Sequence, residues 1–357
     1  MKAVVRRGQR LICDEIPDLT PGAGQVLVKT LACGICGSDL HALHHADKMA
    51  ELGRRSGAGD FMDPSRDIVF GHEFCAEILD HGPGNAGTLK AGTRIVSVPM
   101  TFGATGLELI GYSNTLPGGF AQQMLLTEAM LLEVPNGLPS THAALTEPLA
   151  VGLHAVNQAA LDDAGCAVVI GCGPVGLAII ACLKARGFGP VIAADYSPIR
   201  RAVAEKLGAD KVVNPAEETP YGRWSDFGIP TSLAEHGMAQ MMGQVPKRAV
   251  IFECVGVPGL LQQVMEGAAP LSQIVVVGVC MESDKIEPAL AINKQLDLRF
   301  VLGYSPIEFA QSLSLLAQGT VDATPFVTGT VDLAGTPGAF ETLAKPEAHI
   351  KIIVQPN

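Results

Sequence analysis

No block of lysine and arginine occurs anywhere in the chain, and acidic residues outnumber basic ones 36 to 25, for a formal net charge of −11. A polyanion such as nucleic acid needs a dense cationic face to displace its counterions, so that class of partner is excluded. An electroneutral small molecule or a bound cation fits the balance better, and no membrane partner is expected. A disulfide framework is missing too: nine cysteines, an odd number, are scattered from Cys13 to Cys280. Such scatter in a large chain points to a reducing, cytoplasmic setting. Arg6, Arg7 and Arg10 are followed by no apolar run of the secretory kind. Repeats and low-complexity tracts are absent, and 48% hydrophobic against 17% charged residues argues against disorder. The one charge-free run long enough to span a bilayer, residues 164–183, is divided by Gly171, Gly173, Pro174 and Gly176. It therefore reads as a strand, a turn and a helix start.

At 357 residues the chain exceeds the size at which a single core stops growing, so two domains are expected. Residues 1–150 read as short β segments at 3–5, 26–30, 68–70, 76–79 and 94–98, separated by turns such as Pro21-Gly22 and Pro83-Gly84. A buried connecting helix is expected over 147–160, where Leu149, Leu153, Val156 and Ala160 recur at helical spacing. Strand and helix then alternate: 168–170, 174–186, 191–194, 198–207 and 211–213, resuming at 249–254, 258–267, 273–279 and 298–303. Runs such as Ile274-Val275-Val276-Val277 are apolar throughout, as parallel strands covered on both faces require. A doubly wound parallel sheet follows. Residues 214–247, with the only tryptophan, Trp224, break the rhythm and read as an elaborated surface connection. A helix over 305–319 and a last strand over 349–354 are expected to close the chain, the strand rejoining the first domain.

Two constellations carry chemistry. Gly171-Cys172-Gly173-Pro174-Val175-Gly176 follows an apolar strand and opens a helix, the context in which glycines let backbone approach a pyrophosphate at a helix N-terminus. Asp195 ends the next strand, where a carboxylate bonds the adenosine ribose hydroxyls and repels a 2'-phosphate, favouring NAD over NADP. Arg200 and Arg201 stand close enough in sequence to receive a phosphate instead. The second constellation is Cys36 in Cys36-Gly37-Ser38-Asp39-Leu40-His41 and His72 in Gly71-His72-Glu73. Thiolate, imidazole and carboxylate are the usual donors of a catalytic zinc that keeps a fourth position open. Cys33 forms a CxxC with Cys36, but no second CxxC exists to complete a zinc ribbon, so Cys33 reads as a small buried residue.

These motifs, together with Glu147-Pro148-Leu149, stand in the order found in the zinc-dependent medium-chain dehydrogenase/reductase superfamily, and the chain resembles its alcohol, sorbitol and butanediol dehydrogenase branch over nearly its whole length. The resemblance implies an α/β protein: a Rossmann domain over 151–304, and a β-rich GroES-like catalytic domain over 1–150 to which 305–357 returns, with the cleft at their junction. It implies Cys36 and His72 as zinc ligands, with Glu73 or Glu147 as the third. Ser38 and His41 match the proton relay, Ser38 taking the proton from the substrate hydroxyl and His41 passing it outward through the nicotinamide ribose. Asp39 matches the acid that orients the ligand histidine. Lys351 resembles a basic residue that contacts the cofactor pyrophosphate. A homodimer or homotetramer joined through the Rossmann sheets is implied as well.

Two departures from the family pattern stand out. Residues 97–123, where many members hold a structural zinc on four cysteines, contain no cysteine, so one catalytic zinc and no structural zinc is expected. The 36 residues from Cys36 to His72 make a long interval, with a polar, glycine-rich excess at 49–63. That excess is open to three readings: shaping the substrate site, packing at a subunit contact, or forming a surface loop. The expected activity is reversible hydride transfer between NAD and a secondary alcohol, diol or polyol. Alternatives are a zinc-free NAD(P)H-dependent reductase of activated double bonds, a methyltransferase, and a non-enzymatic NAD-binding sensor. The Cys36, His72 and Glu147 set argues against the reductase and has no role in the methyltransferase; the sensor would bind NADH yet form none across a panel of alcohols.

Overall fold

The computed structural model describes residues 1–103, 106–135, 137–345 and 348–356. The chain divides into two compact units, one of Met1–Glu147 with Phe309–Asn357 and one of Pro148–Glu308.

In the second unit six parallel strands form one sheet in the order Lys211–Val213, Val191–Ala194, Ala164–Ile170, Arg248–Glu253, Gln273–Val276, Asp297–Phe300. The order reverses direction at Ala164–Ile170, which opens a crevice at the carboxyl ends of the strands there. Helix Pro174–Ala185 starts at that point, with Gly173 as its N-cap and Pro174 at its first turn, where proline's fixed φ and missing N–H cost nothing. The core is built by the apolar strand runs, Val168, Ile251 and Ile274 among them. The long apolar stretch is thus a strand and a helix, and no helix among the described residues is long and apolar enough to cross a membrane. Residues 214–247 form an elaborated connection anchored in the core by Trp224. They contain the 3-10 turn Trp224–Phe227 and the helix Leu233–Met241, and Trp224 is buried in the core, its indole N–H donating to the Gly267 carbonyl at 3.2 Å.

The first unit is built on strand Gln25–Gly34, which pairs antiparallel with Glu73–His81, Gln123–Thr127 and the returning strand Lys351–Val354. Val26, Val28, Cys33, Phe74, Ala76 and Ile78 make the core of this sheet. Strand Glu73–His81 begins on Glu73, and Lys351–Val354 begins on Lys351. The sheet therefore carries three of the chemistry-bearing positions, Gly34, Glu73 and Lys351, at one end.

The polar excess after Cys36 is not a loop for most of its length. Helix Gly37–Ser56 runs through it, bent at His45 and ended by Gly57 in the left-handed region (φ 85°). Asp39, Ala42, Leu43, Ala46, Ala50 and Gly53 are its buried positions; the mostly small residues among them, at helical spacing, are easily overlooked beside the glycines and histidines around them. Beyond the helix, the backbone of 63–67 is held by hydrogen bonds. Asn114 pairs with the Asp63 backbone in both directions (2.7 and 3.0 Å), Arg6 donates to the Pro64 carbonyl (2.6 Å), and Arg7 holds Asp67 (2.7 Å).

Candidate active site

Cys36 is the N-cap of helix Gly37–Ser56, so its sulfur stands where the unsatisfied N–H groups of a helix favour negative charge. Asp39, fully buried, turns back to this cap: one carboxylate oxygen accepts from the Cys36 N–H at 2.9 Å. Its other oxygen lies 3.3 Å from His72 Nδ1, near but too bent for a hydrogen bond, and both atoms are otherwise unpartnered. The opposite ring nitrogen, Nε2, faces Ser38 Oγ at 3.5 Å. One short helix start thus supplies a thiol, an orienting acid and a hydroxyl to a single imidazole.

Glu73 enters from the adjoining strand. Gly34 makes room for it: a Cβ at Gly34 would stand 2.0 Å from Glu73 Oε2. Donor atoms of Cys36, His72 and Glu73 all lie within 4.8 Å of one another. The set fits a zinc ion in chemistry and in electrostatics. Burial opposes a charged His72, yet Tyr112, Asp39 and Cys36 outweigh it and push the imidazole pKa well above its usual value. A pocket that favours a proton on a buried imidazole favours a cation. Cys33 is different in kind: burial foremost, with Asp39 adding to it, drives its thiol pKa well up, so it stays neutral.

Glu147 is buried in the first turn of helix Thr146–Asn157 and is one of the acids that raise the Lys351 pKa, after Glu73 and Cys36 and against the effect of burial. It does not join the set of donors within 4.8 Å. His41 lies one turn beyond Ser38 and reaches the surface. Partial desolvation, then His45, lower its pKa, which leaves a neutral ring able to take a proton.

Lys351 is the ion-pair partner of Glu73. Its ammonium is buried in the first unit, donating to Glu73 Oε1 (2.7 Å), Glu73 Oε2 (2.6 Å) and the Ile35 carbonyl (3.0 Å). A lysine has three N–H donors, and here they meet Glu73 twice and the Ile35 carbonyl once. Its work is to neutralise Glu73. A carboxylate offers about four lone-pair sites, so Glu73 can serve Lys351 and a metal together.

In the second unit the glycine-rich turn has the geometry of its motif. Gly171 adopts φ 90°, and a Cβ on Gly176 would stand 1.9 Å from the Gly171 carbonyl oxygen, so the helix reaches its strand only because Gly176 has no side chain. Cys172, between the first two glycines, donates its N–H to Asp195 Oδ2 at 2.7 Å, and Asp195 Oδ1 accepts from Ser197 N at 2.7 Å. Arg200 Nη1 stands 3.9 Å from Asp195, and its Nε is buried without a partner. Arg201 is occupied by the carbonyls of Asp195 and Tyr196. Of the two arginines, Arg200 is the one with donors to spare.

The lobe that lacks cysteines is knotted by hydrogen bonds. After the hairpin Met100–Gly103 and Gly106–Leu109, the Glu108 carboxylate accepts from Ser113 and Thr115, and Ser113 Oγ accepts from the N–H groups of Thr115 (2.9 Å) and Leu116 (3.0 Å). Tyr112, inside this knot, stacks on His72 with ring centroids 5.5 Å apart. No spacing rule in the sequence announces that Tyr112 touches the histidine.

Two family models match the chain: an alcohol dehydrogenase GroES-like domain over residues 22–136 and a zinc-binding dehydrogenase domain over 174–318. The (R,R)-butanediol dehydrogenase of Bacillus subtilis is 31% identical, with all of each chain covered. The sorbitol dehydrogenase of the same organism is 28% identical, covering 100% of this chain and 98% of its own. Among solved structures, a protein from Sinorhizobium meliloti described as a zinc-binding dehydrogenase, bound to NADP, superposes with a TM-score of 0.79 at 25% identity over 99% of both chains. The chain belongs to the zinc-dependent medium-chain dehydrogenase/reductase superfamily. It is an oxidoreductase, with a GroES-like domain and a Rossmann domain.

Proposed function

We propose that the protein oxidises a secondary alcohol within a diol or polyol to the ketone, reversibly, with NAD as acceptor and one catalytic zinc per chain: alcohol plus NAD⁺ gives ketone, NADH and a proton. The observation that carries this reading is the convergence of Cys36, His72 and Glu73 on a shared point, in a chain that also holds the dinucleotide turn. The butanediol and sorbitol dehydrogenases among its relatives support the diol or polyol class. Zinc held by Cys36, His72 and Glu73 would act as a Lewis acid on the substrate oxygen, and the nicotinamide would accept the hydride. Ser38, beside His72 Nε2, takes the hydroxyl proton, and His41, neutral and at the surface, releases it. Asp39 fixes the His72 ring, while Lys351 and the cavity at Gly34 hold Glu73 in place. Glu147 is the reserve carboxylate of the site.

For the cofactor, Gly171, Gly173, Pro174, Val175 and Gly176 cradle the pyrophosphate, and Asp195 selects NAD by repelling a 2'-phosphate. Arg200 offers the free donors beside them. The knot at Glu108 makes a second, structural zinc unnecessary. Nine free thiols, five of them buried, suit a reducing cytoplasm. The sheet ends on Asp297–Phe300, an edge strand with Phe300 66% exposed; edge backbone and apolar surface of this kind support a homodimer or homotetramer built through that sheet.

The test is a spectrophotometric screen of mono-alcohols, diols and sugar alcohols with NAD and NADP in parallel. NADH formation with diols or polyols is expected, with NAD preferred. Nicotinamide binding with no turnover on any alcohol would overturn the proposal.

A further inference from the structure

Tyr112 is a polar side chain beside the candidate zinc ligands to which the proposed function gives no role. Its ring is half-buried and stacked on His72, 5.5 Å between centroids at 30°. Ser38 Oγ stands 3.5 Å from Nε2 of the same imidazole, which places Tyr112 among the groups that would surround a substrate oxygen. A phenol has one O–H to donate. The ring is fixed from several sides. Phe61 meets it edge-on at 6.1 Å and Phe70 at 6.3 Å. Phe61 in turn seats on Gly53, where a Cβ would come within 2.4 Å of its ring. Asn114, two residues from Tyr112, ties the Phe61 segment down through Asp63. The long Cys36–His72 interval thus ends as a brace behind Tyr112. So much fixation is unneeded for a spacer, and it is what a directional hydrogen-bond donor in a binding site requires.

Resting on the dehydrogenase reading above, we infer that Tyr112 is a substrate-binding residue whose hydroxyl donates to a second oxygen on the carbon next to the reacting one, so that the enzyme selects vicinal diols and polyols over mono-alcohols. A site built to hydrogen-bond a hydroxyl discriminates against the analogue that lacks it, because its own polar group is then left unpaired. The tests use the zinc-loaded enzyme with NAD, and 2,3-butanediol and 2-butanol as probes. The parent is expected to favour the diol in kcat/KM, and Tyr112→Phe, which keeps the ring and its stacking, to lower the diol-to-mono-alcohol ratio about tenfold. If Tyr112 merely positions Ser38, the variant slows both substrates equally, the ratio stays put, and the inference is overturned. A parent that takes 2-butanol as readily as the diol overturns it without any variant, and leaves the alcohol dehydrogenase reading standing. A parent inactive on every alcohol sinks both.

Discussion

Glu73 and Lys351 form an ion pair with each side chain only 1% exposed, and such a pair is strongly coupled to stability because removing one partner strands the other charge. Lys351→Met is expected to destabilise the fold by about 3–5 kcal/mol in urea denaturation, and Glu73→Gln in the same chain to recover part of that loss. Gly34→Ala tests the same corner by volume: its methyl occupies the space of Glu73 Oε2, so zinc content should fall while the nucleotide fold persists. Asp39→Asn keeps the size of the acid that faces His72 and removes its charge. Its expected effect is a 10- to 100-fold loss of zinc affinity, measured by competition with a chelator. At this scale the sequence was partly legible. Cys36, Ser38 and Asp39 sit within one short motif, so their proximity is a matter of helix geometry. Lys351 follows Glu73 by most of the chain, and only the antiparallel pairing of the last strand with Gln25–Gly34 brings it in. A cation in a C-terminal strand reads equally well as a surface contact until that pairing is known.

Among the elements, helices Thr146–Asn157 and Pro306–Ala317 are linked by a polar cluster at Glu308. Its carboxylate accepts from Asn157 Nδ2 (2.6 Å), Ser305 N (2.7 Å) and Ser305 Oγ (2.9 Å), and it faces His154 Nδ1 at 3.0 Å. Burial alone would raise its pKa, but the hydrogen bonds from Ser305, Asn157 and His154 overcome that and bring it to about 2. A carboxylate whose pKa is depressed in the folded state stabilises the fold above its unfolded value of about 4.5. That contribution fades as pH falls from about 4.5 toward 2. Chemical denaturation across that interval should show the acid-induced loss in the parent and a shallower pH slope in Glu308→Gln, with the variant roughly 2 kcal/mol less stable at pH 7. The alternating strands and helices of this unit were legible from apolar runs, since strands covered on both faces need no polar alternation. Helix Gly37–Ser56 was not read from the sequence; apart from Leu43, its buried apolar positions are alanine and glycine, which carry little hydrophobic signal.

For the whole molecule, two motifs far apart in the sequence, Cys36 with His72-Glu73 and Gly171–Gly176, are proposed to define together a reaction that neither defines alone. Under the proposed function the glycine turn with Asp195 would hold the dinucleotide, and Cys36, His72 and Glu73 the metal. Asp195→Ala should relax the choice of cofactor, with NADP kcat/KM rising relative to NAD by about tenfold or more in parallel titrations. The exposed edge strand Asp297–Phe300 predicts a dimer or tetramer in light scattering, and Phe300→Glu, on the edge, should shift it toward monomer. The central claim is that the alcohol chemistry depends on one zinc held by Cys36, His72 and Glu73. Its most direct measurement is zinc content by elemental analysis alongside alcohol-dependent NADH formation, before and after chelation, in the parent and in Cys36→Ala. The account predicts one zinc per chain in the parent, activity lost on chelation and restored by zinc, and neither zinc nor activity in the variant. Undiminished alcohol oxidation by zinc-free parent, or by Cys36→Ala, would contradict it.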